Sequence, residues 1–481
     1  MTAGTPATGL PLLHRRLLDL QALTPDDIHT LGSRLSVATL ADLHHVLDTG
    51  SAAREFGPVV LTRLLAGAAA VADELRPLTL GRAVDLLDSV QGHILQICPG
   101  IEALVAAGDV RRFEPLVTSL VLVGRSSDPA AMIDAVGASP WIESIGFRTP
   151  RRALVIVQGH EIDLRVAAPD EYGTVLFLAT GSREHVRAVI ARRGALDLAT
   201  REHDLYAHAA LTWIAPELRH DTGEIAASAD GSLPRLIDRT DIRGDLHMHT
   251  TYSDGQDSLE SVVAACATLG YEYLAITDHS ENASASRTVS RTLLEGQRQE
   301  IDRLRRRYPQ MAILHGIEVD ILRDGRLDFP DDVLERLDIV LASLHDSAGH
   351  DASTLTRRCL AAIRHPLVNV ISHPSNQLIG RRDGYELDYA AVYAAAAETG
   401  TALEVDGAPS HLDLDGEHAR AAVGAGVMLA IDSDCHRARA LKRQMDFGVG
   451  TARRGWVEAR HVLNARPIEA IRAFVAAKRS R

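Results

Sequence analysis

Between residues 241 and 481, short β-type runs alternate with helical patterns, and few architectures accept that order. The runs lie at 244–249, 273–277, 312–319, 339–344, 368–372, 402–405 and 427–431. Amphipathic stretches separate them near 257–269, 290–307, 330–337, 353–364, 388–399 and 415–425. A strand that returns through a helix lies parallel to its predecessor, so the pattern predicts a parallel sheet with helical crossovers. Seven such units fit a closed or nearly closed βα barrel, a (β/α)7 arrangement.

In βα barrels the reactive groups gather at the C-terminal ends of the strands. Here every strand end carries a side chain able to hold a metal. In order these are His247 and His249 with Asp254 just beyond, Asp278 and His279, Glu318 and Asp320, His345, His373, Glu404 and Asp406, then Asp434 and His436. Residues two apart on a strand point the same way. His247 is thus paired with His249, and Asp434 with His436, while Met248 and Cys435 face away. Imidazole with carboxylate suits Zn²⁺, Mn²⁺ or Fe²⁺ and fits Mg²⁺ or Ca²⁺ poorly. The candidate metal ligands are His247, His249, Asp254, His279, Glu318, His345, His373, Asp434 and His436. That is more than one ion can use, so two to three divalent transition-metal ions are expected, with Glu318 a natural bridge. Asp278, Asp320 and Glu404 serve equally well as groups that orient ligands or cap helices.

The remainder of the chain is less explicit. Its 481 residues, 46% hydrophobic, allow two or three domains. Residues 11–107 read as helical, with Thr39 an N-cap for 40–47 and further patterns at 59–75 and 80–97. Residues 108–235 read as a small α+β domain with an antiparallel sheet. Its runs lie at 119–123, 153–157 and 161–166, the last two flanking a hairpin signal at Gly159-His160, and helices follow at 171–178 and 183–193. The polar stretch 218–240 reads as a linker, which sets the expected domains at 1–107, 108–217 and 241–481.

Several function classes are excluded. Only Lys442 and Lys478 are lysines, so no Walker-type phosphate loop is present and no lysine Schiff base can form before residue 442. The net charge is −13 and both halves are acidic, so neither is a basic nucleic-acid grip overall. No apolar run is long enough to span a bilayer, and Met1–Pro11 lacks the layout of a signal peptide. The four cysteines form no CxxC pair, so a reducing cytoplasm is the expected setting.

The strand-end motifs His247-Met-His-Thr-Thr-Tyr-Ser-Asp-Gly255, Ile276-Thr-Asp-His279, Gly316-Ile-Glu-Val-Asp320, Ser343-Leu-His345, Ser372-His-Pro374 and Asp434-Cys-His436 resemble those of the PHP (polymerase and histidinol phosphatase) superfamily. Gly448-Val-Gly-Thr-Ala-Arg-Arg-Gly-Trp456 and Gly380-Arg-Arg382 narrow the resemblance to the PHP domain that ends bacterial family X DNA polymerases. Upstream, Pro216-Glu-Leu-Arg219, Gly223-Glu-Ile225, Leu233-Pro234 and Arg243-Gly-Asp-Leu246 are similar to the strap between the two parts. Ile162-Asp-Leu-Arg-Val166 and Thr180-Gly-Ser-Arg-Glu-His185 resemble palm and nucleotide-binding motifs.

The resemblance implies a distorted seven-unit barrel holding three metals, and manganese-dependent 3′–5′ exonuclease and DNA 3′-end phosphoesterase activity. It assigns His247, His249, Glu318 and Asp434 to one ion, Glu318, His345 and His373 to a second, and Asp254, His279 and His436 to a third. Glu318 and His345 would be catalytic, with Arg381 and Arg382 as phosphate contacts. It also implies a degenerate polymerase half. A family X palm needs three carboxylates, and only Asp163 stands in place; Thr118-Ser119-Leu120 occupies the expected Asp-x-Asp position. Gly108-Asp109 replaces a Gly-Ser signature, Ala179 replaces an aromatic residue, the DNA-binding hairpins are degraded in 23–35, and the lyase lysine is missing. Three functions stay open: an enzyme acting on DNA 3′ ends, a small-molecule phosphomonoesterase of the histidinol-phosphatase type, and a non-catalytic scaffold working with DNA-repair partners. No membrane role is expected.

Overall fold

The computed structural model describes residues 10–194, 196–283, 287–345 and 349–480, so most of the Met1–Pro11 stretch lies outside the described residues. The chain forms two compact units, Met1–Leu233 and Pro234–Arg481. No helix among the described residues is long and apolar enough to cross a membrane.

The first unit begins with helices where the periodicity placed them. Thr39 caps Leu40–Asp48 through a complete capping box with Asp42, and the helices Pro58–Glu74 and Leu80–Ile97 follow. Their apolar stripes are buried: Leu43 and Val46 meet Leu64, Ala68 and Val71 in one cluster. The helical reading stops too late, however, because Ala103–Ala106 is a strand. It edges a five-stranded sheet in the order Ala103–Ala106, Leu120–Arg125, His160–Ala167, Arg152–Val157, Ser144–Thr149. The hairpin at Gly159 is present, with Gly159 at φ 73°. The sheet is mixed rather than antiparallel, since Leu120–Arg125 and His160–Ala167 run parallel. The helix Pro129–Gly137 and the strands Ser144–Thr149 and Arg152–Val157 lie between these two in sequence and bring the chain back in the same direction.

The second unit contains the expected barrel. Its strands are Gly244–Asp245, Tyr273–Ile276, Ala312–Asp320, Ile339–Ser343, Val370–Ser372, Ala402–Asp406 and Leu429–Asp432, hydrogen-bonded in sequence order and all parallel. The first is much shorter than its apolar pattern, so His247 and His249 stand on the segment beyond it. Alternation along the strands decides what each side chain meets. Leu274, Ile276, Val340 and Ala342 pack outward under the helices, while Tyr273, Ala275, Leu314, Ile339 and Leu341 point inward. The same parity carries Glu318 and Glu404 inward near the C-terminal rim. A helix not anticipated from the sequence, Ile468–Arg479, adds Ile471 and Val475 to the inner cluster.

The first and last strands share no ladder among the described residues, and side chains join them instead. Leu246 N donates to Asp432 Oδ1 (2.8 Å) and Ser433 N to Asp245 Oδ1 (3.2 Å). Asn464 donates to the carbonyls of Gly244 (2.9 Å) and Ile431 (2.5 Å) and accepts from Ile431 N (3.0 Å). At the rim a single parallel bridge pairs Met248 with Cys435.

Candidate metal centre

The rim gathers all nine candidate ligands. Met248 and Cys435 lie fully buried in the outer core, which leaves His247, His249, Asp434 and His436 to face the centre. Two of the ligands pay for their placement with backbone strain: His373 has φ 26° and Asp434 φ 47°.

Four donor atoms converge on one point. His247 Nε2 lies 3.1 Å from His249 Nε2, 3.5 Å from Glu318 Oε2 and 3.7 Å from Asp434 Oδ1. His249 Nε2 lies 3.5 Å from Glu318 Oε2 and 3.0 Å from Asp434 Oδ1. A tetrahedron with metal–ligand bonds of ~2.1 Å has edges of about 3.4 Å, so the spacing fits one transition-metal ion. The other Glu318 oxygen, Oε1, faces His373 Nε2 at 2.9 Å and His345 Nε2 at 3.8 Å. A third group surrounds Asp254, whose Oδ1 is 3.3 Å from His436 Nε2 and whose Oδ2 is 3.5 Å from His279 Nε2. His249 Nδ1 reaches toward that group, 3.8 Å from Asp254 Oδ1, and His279 Nδ1 toward Glu318 Oε2, at 2.7 Å. Glu318 therefore stands between the sets, as a bridging carboxylate would.

Unmade hydrogen bonds point the same way. His249 Nδ1 and His373 Nδ1 are buried without a hydrogen-bond partner, and His279 Nδ1 and Glu318 Oε2 stand 2.7 Å apart without the alignment of a hydrogen bond, a costly state that a bound cation relieves for the atoms facing the centre. The surrounding carboxylates favour the protonated form of two of the imidazoles. Burial alone would lower His373, but its hydrogen bond to Glu318 and the charges of Glu318, Glu404 and Asp434 outweigh it and raise it to about 9. His436 reaches about 9 through Asp434 and Asp254, again against burial. His249 goes the other way, to about 3, because burial and the neighbouring His436 and His279 deny it a proton.

Groups behind the ligands fix their orientation. Glu404 lies 2.7 Å from His247 Nδ1 and accepts from His373 N at 2.6 Å. Asp320 lies 2.8 Å from His345 Nδ1. Each holds the far ring nitrogen and leaves Nε2 for the centre. Asp278 is turned from the centre and anchors the Thr250–Ser253 turn. Arg382 donates to Asn376 O (2.6 Å) and Oδ1 (3.1 Å), while Arg381 is exposed on the same loop. Sequence reasoning missed His411. It stacks on His373 with ring centroids 5.6 Å apart, and offers a ligand atom within 4.8 Å of others from Asp406 and Asp434. It stands in a loop, where no periodicity singles it out.

Residues 245–420 match the PHP domain family. The chain is 34% identical over 416 residues to the DNA polymerase/3′-5′ exonuclease PolX of Bacillus subtilis (strain 168), covering 82% of this chain and 72% of that protein. It belongs to the bacterial family X DNA polymerases. A probable phosphatase of Syntrophotalea carbinolica is 34% identical over 166 residues, 34% of this chain and 64% of that protein. The solved histidinol phosphate phosphatase of Lactococcus lactis is 17% identical, with 45% of this chain and 95% of that chain covered at a TM-score of 0.36.

As a family X chain it carries an altered palm. Asp163, 3% exposed, is gripped by Arg152 Nε (2.7 Å) and by Arg165 Nη2 (2.7 Å). Val121 stands beside it in register, and Thr118 spends its N–H and hydroxyl on Asp109 (2.8 and 2.7 Å). Arg152 and Arg165 together occupy both oxygens of Asp163.

Proposed function

We propose that this metal-dependent phosphoesterase acts on DNA 3′ ends, as a manganese-dependent 3′–5′ exonuclease, and that its polymerase activity is lost. The observation that carries the reading is the extent of the kinship. It runs over 82% of the chain, through a first unit that a small-molecule phosphatase does not need, whereas the probable phosphatase matches 34%. On this reading the degenerate polymerase half comprises a helical part at 1–107 and a palm-like part at 108–217, and the linker 218–240 leads to the PHP part at 241–481. The four cysteines are free and buried, which fits a reducing cytoplasm.

His247, His249, Glu318 and Asp434 would hold one ion, Glu318, His345 and His373 a second, and Asp254, His279 and His436 a third. When bound, such ions acidify water and polarise phosphoryl oxygens. The chain's own residues do the positioning: Glu404 and Asp320 lock the rings of His247 and His345, and Glu318 spans the sets. Arg382 braces its loop through Asn376, and Arg381 is assigned to a substrate phosphate.

A small phosphate ester is the second reading, favoured by the 34% identity over 166 residues to a probable phosphatase and by the acidic balance of the chain. Digestion of an end-labelled single-stranded oligonucleotide, beside histidinol phosphate, both with Mn²⁺ and a His345→Ala control, separates the two. Stepwise 3′ shortening by wild type alone supports the first. Release of phosphate from histidinol phosphate with intact DNA supports the second.

A further inference from the structure

Two of the third set of ligands hang from one buried carboxylate. Asp278, fully buried, accepts from Thr250 N (2.7 Å), Thr250 Oγ1 (2.7 Å), Ser253 N (3.1 Å) and Ser253 Oγ (2.5 Å), and so fixes the turn that delivers Asp254. His279 is its chain neighbour. A displacement of Asp278 therefore moves Asp254 and His279 together.

Asp278 is itself held from outside the barrel. Gln297, fully buried on the helix Arg291–Arg307, donates Nε2 to Asp278 Oδ2 at 2.6 Å. Its Oε1 lies 3.1 Å from Nε2 of His315, which is 1% exposed and points outward from the third barrel strand. The protons can be assigned. A carboxylate only accepts, so the amide nitrogen of Gln297 must face Asp278, and its oxygen then requires N–H at His315 Nε2. The tautomer leaves His315 Nδ1 without hydrogen, and that atom is buried with no hydrogen-bond partner. Burial, with Arg298 next, lowers this imidazole to about 3, so it stays neutral. On the outer side, Tyr252 of the same turn donates to Glu300 of the same helix at 2.8 Å.

We propose that Gln297, braced by His315, is a positioning residue for the Asp254–His279–His436 ion. The relay runs His315, Gln297, Asp278, then the two ligand-bearing segments. It rests on the metal reading above. Neither Gln297 nor His315 touches an ion or substrate; they fix where two ligands stand, and such outer partners matter 10- to 100-fold for metal affinity.

The test loads full-length protein with Mn²⁺ and measures bound ions by elemental analysis and affinities by calorimetry. The proteins are wild type, Gln297→Met, which keeps volume and removes both polar atoms, His315→Leu, and the double variant. Wild type should hold three ions. Gln297→Met should hold two at unchanged affinity and the third ~10- to 100-fold more weakly. His315→Leu should weaken the same ion less, and the double variant should be no worse than Gln297→Met, since one relay is broken only once. A purely packing role would lower the melting temperature, leave all three affinities alone and add in the double variant; that result overturns the relay. If Gln297→Met does not fold, His315→Leu alone decides, and an unchanged third affinity overturns the proposal. Wild type holding no ions overturns the metal reading and the relay together.

Discussion

Arg152 binds Asp163 with two hydrogen bonds, 2.7 Å to Oδ1 and 2.9 Å to Oδ2. Arg165 adds two more to Oδ2, 2.9 and 2.7 Å, and Arg152 also reaches Asp42 at 2.8 Å. Burial alone would raise the Asp163 carboxyl, but these guanidinium groups hold it below the usual carboxylate range. Both oxygens are occupied, and no second carboxylate stands at Thr118 or Leu120. Gap filling with dNTPs and Mg²⁺ or Mn²⁺ is therefore expected to be absent. Template-directed incorporation by the purified chain would contradict this account of the palm.

Glu202 gives the first unit a pH dependence. Burial would raise its carboxyl, but the hydrogen bonds from Arg111 (2.7 and 2.9 Å) and the adjacent Arg219 outweigh that and lower it from 4.5 to about 2. A depressed carboxylate contributes its stability above the unfolded value and loses it as pH falls toward the folded one. The loss should fall between about pH 4.5 and 2 and amount to about 3 kcal/mol. Chemical denaturation of wild type and Glu202→Gln across this range checks it. The variant should lack that slope and be less stable at pH 7.

Asn464 replaces a missing strand ladder at the barrel seam. Asn464→Ala leaves the Ile431 amide and two carbonyls without their partner in a fully buried place. Stability of the second unit should fall by about 3 kcal/mol, at 1–3 kcal/mol for each unsatisfied group with partial relief by water. A denaturation midpoint equal to wild type would show that the seam is closed by other means.

The proposed metal ligands should differ in what they support. His279→Ala should reduce turnover at least ~100-fold, the scale of losing one preorganised electrostatic group, with a melting temperature lower by only a few degrees. Glu318→Ala should be worse on both counts, because its two oxygens serve two sets of imidazoles. Paired thermal scans and hydrolysis rates with saturating Mn²⁺ test the order.

Local chemistry made much of this legible. Thr39 announces an N-cap, and the helices 80–97 and 183–193 end where their patterns end. The nine donors could be found because each stands at the end of an apolar run, and the strands bring them to one rim. What escaped depends on distant partners. Ala103–Ala106 reads equally well as helix, and only its pairing with Leu120–Arg125 makes it a strand. The helix Leu441–Arg454 was hidden by its glycines, which a tight approach explains: a Cβ on Gly448 would meet Ile431 Cγ2 at 2.9 Å. Asn464, His411 and Gln297 carry no local signal, since each is defined by a partner at least 18 residues away.

The proposed function stands or falls with hydrolysis of DNA phosphoesters by the strand-end cluster. The most direct measurement is the rate of 3′ shortening of an end-labelled oligonucleotide with saturating Mn²⁺, wild type against Glu318→Ala. Stepwise shortening is expected from wild type and essentially none from the variant. Equal rates for the two proteins would place the chemistry elsewhere and contradict the proposed function.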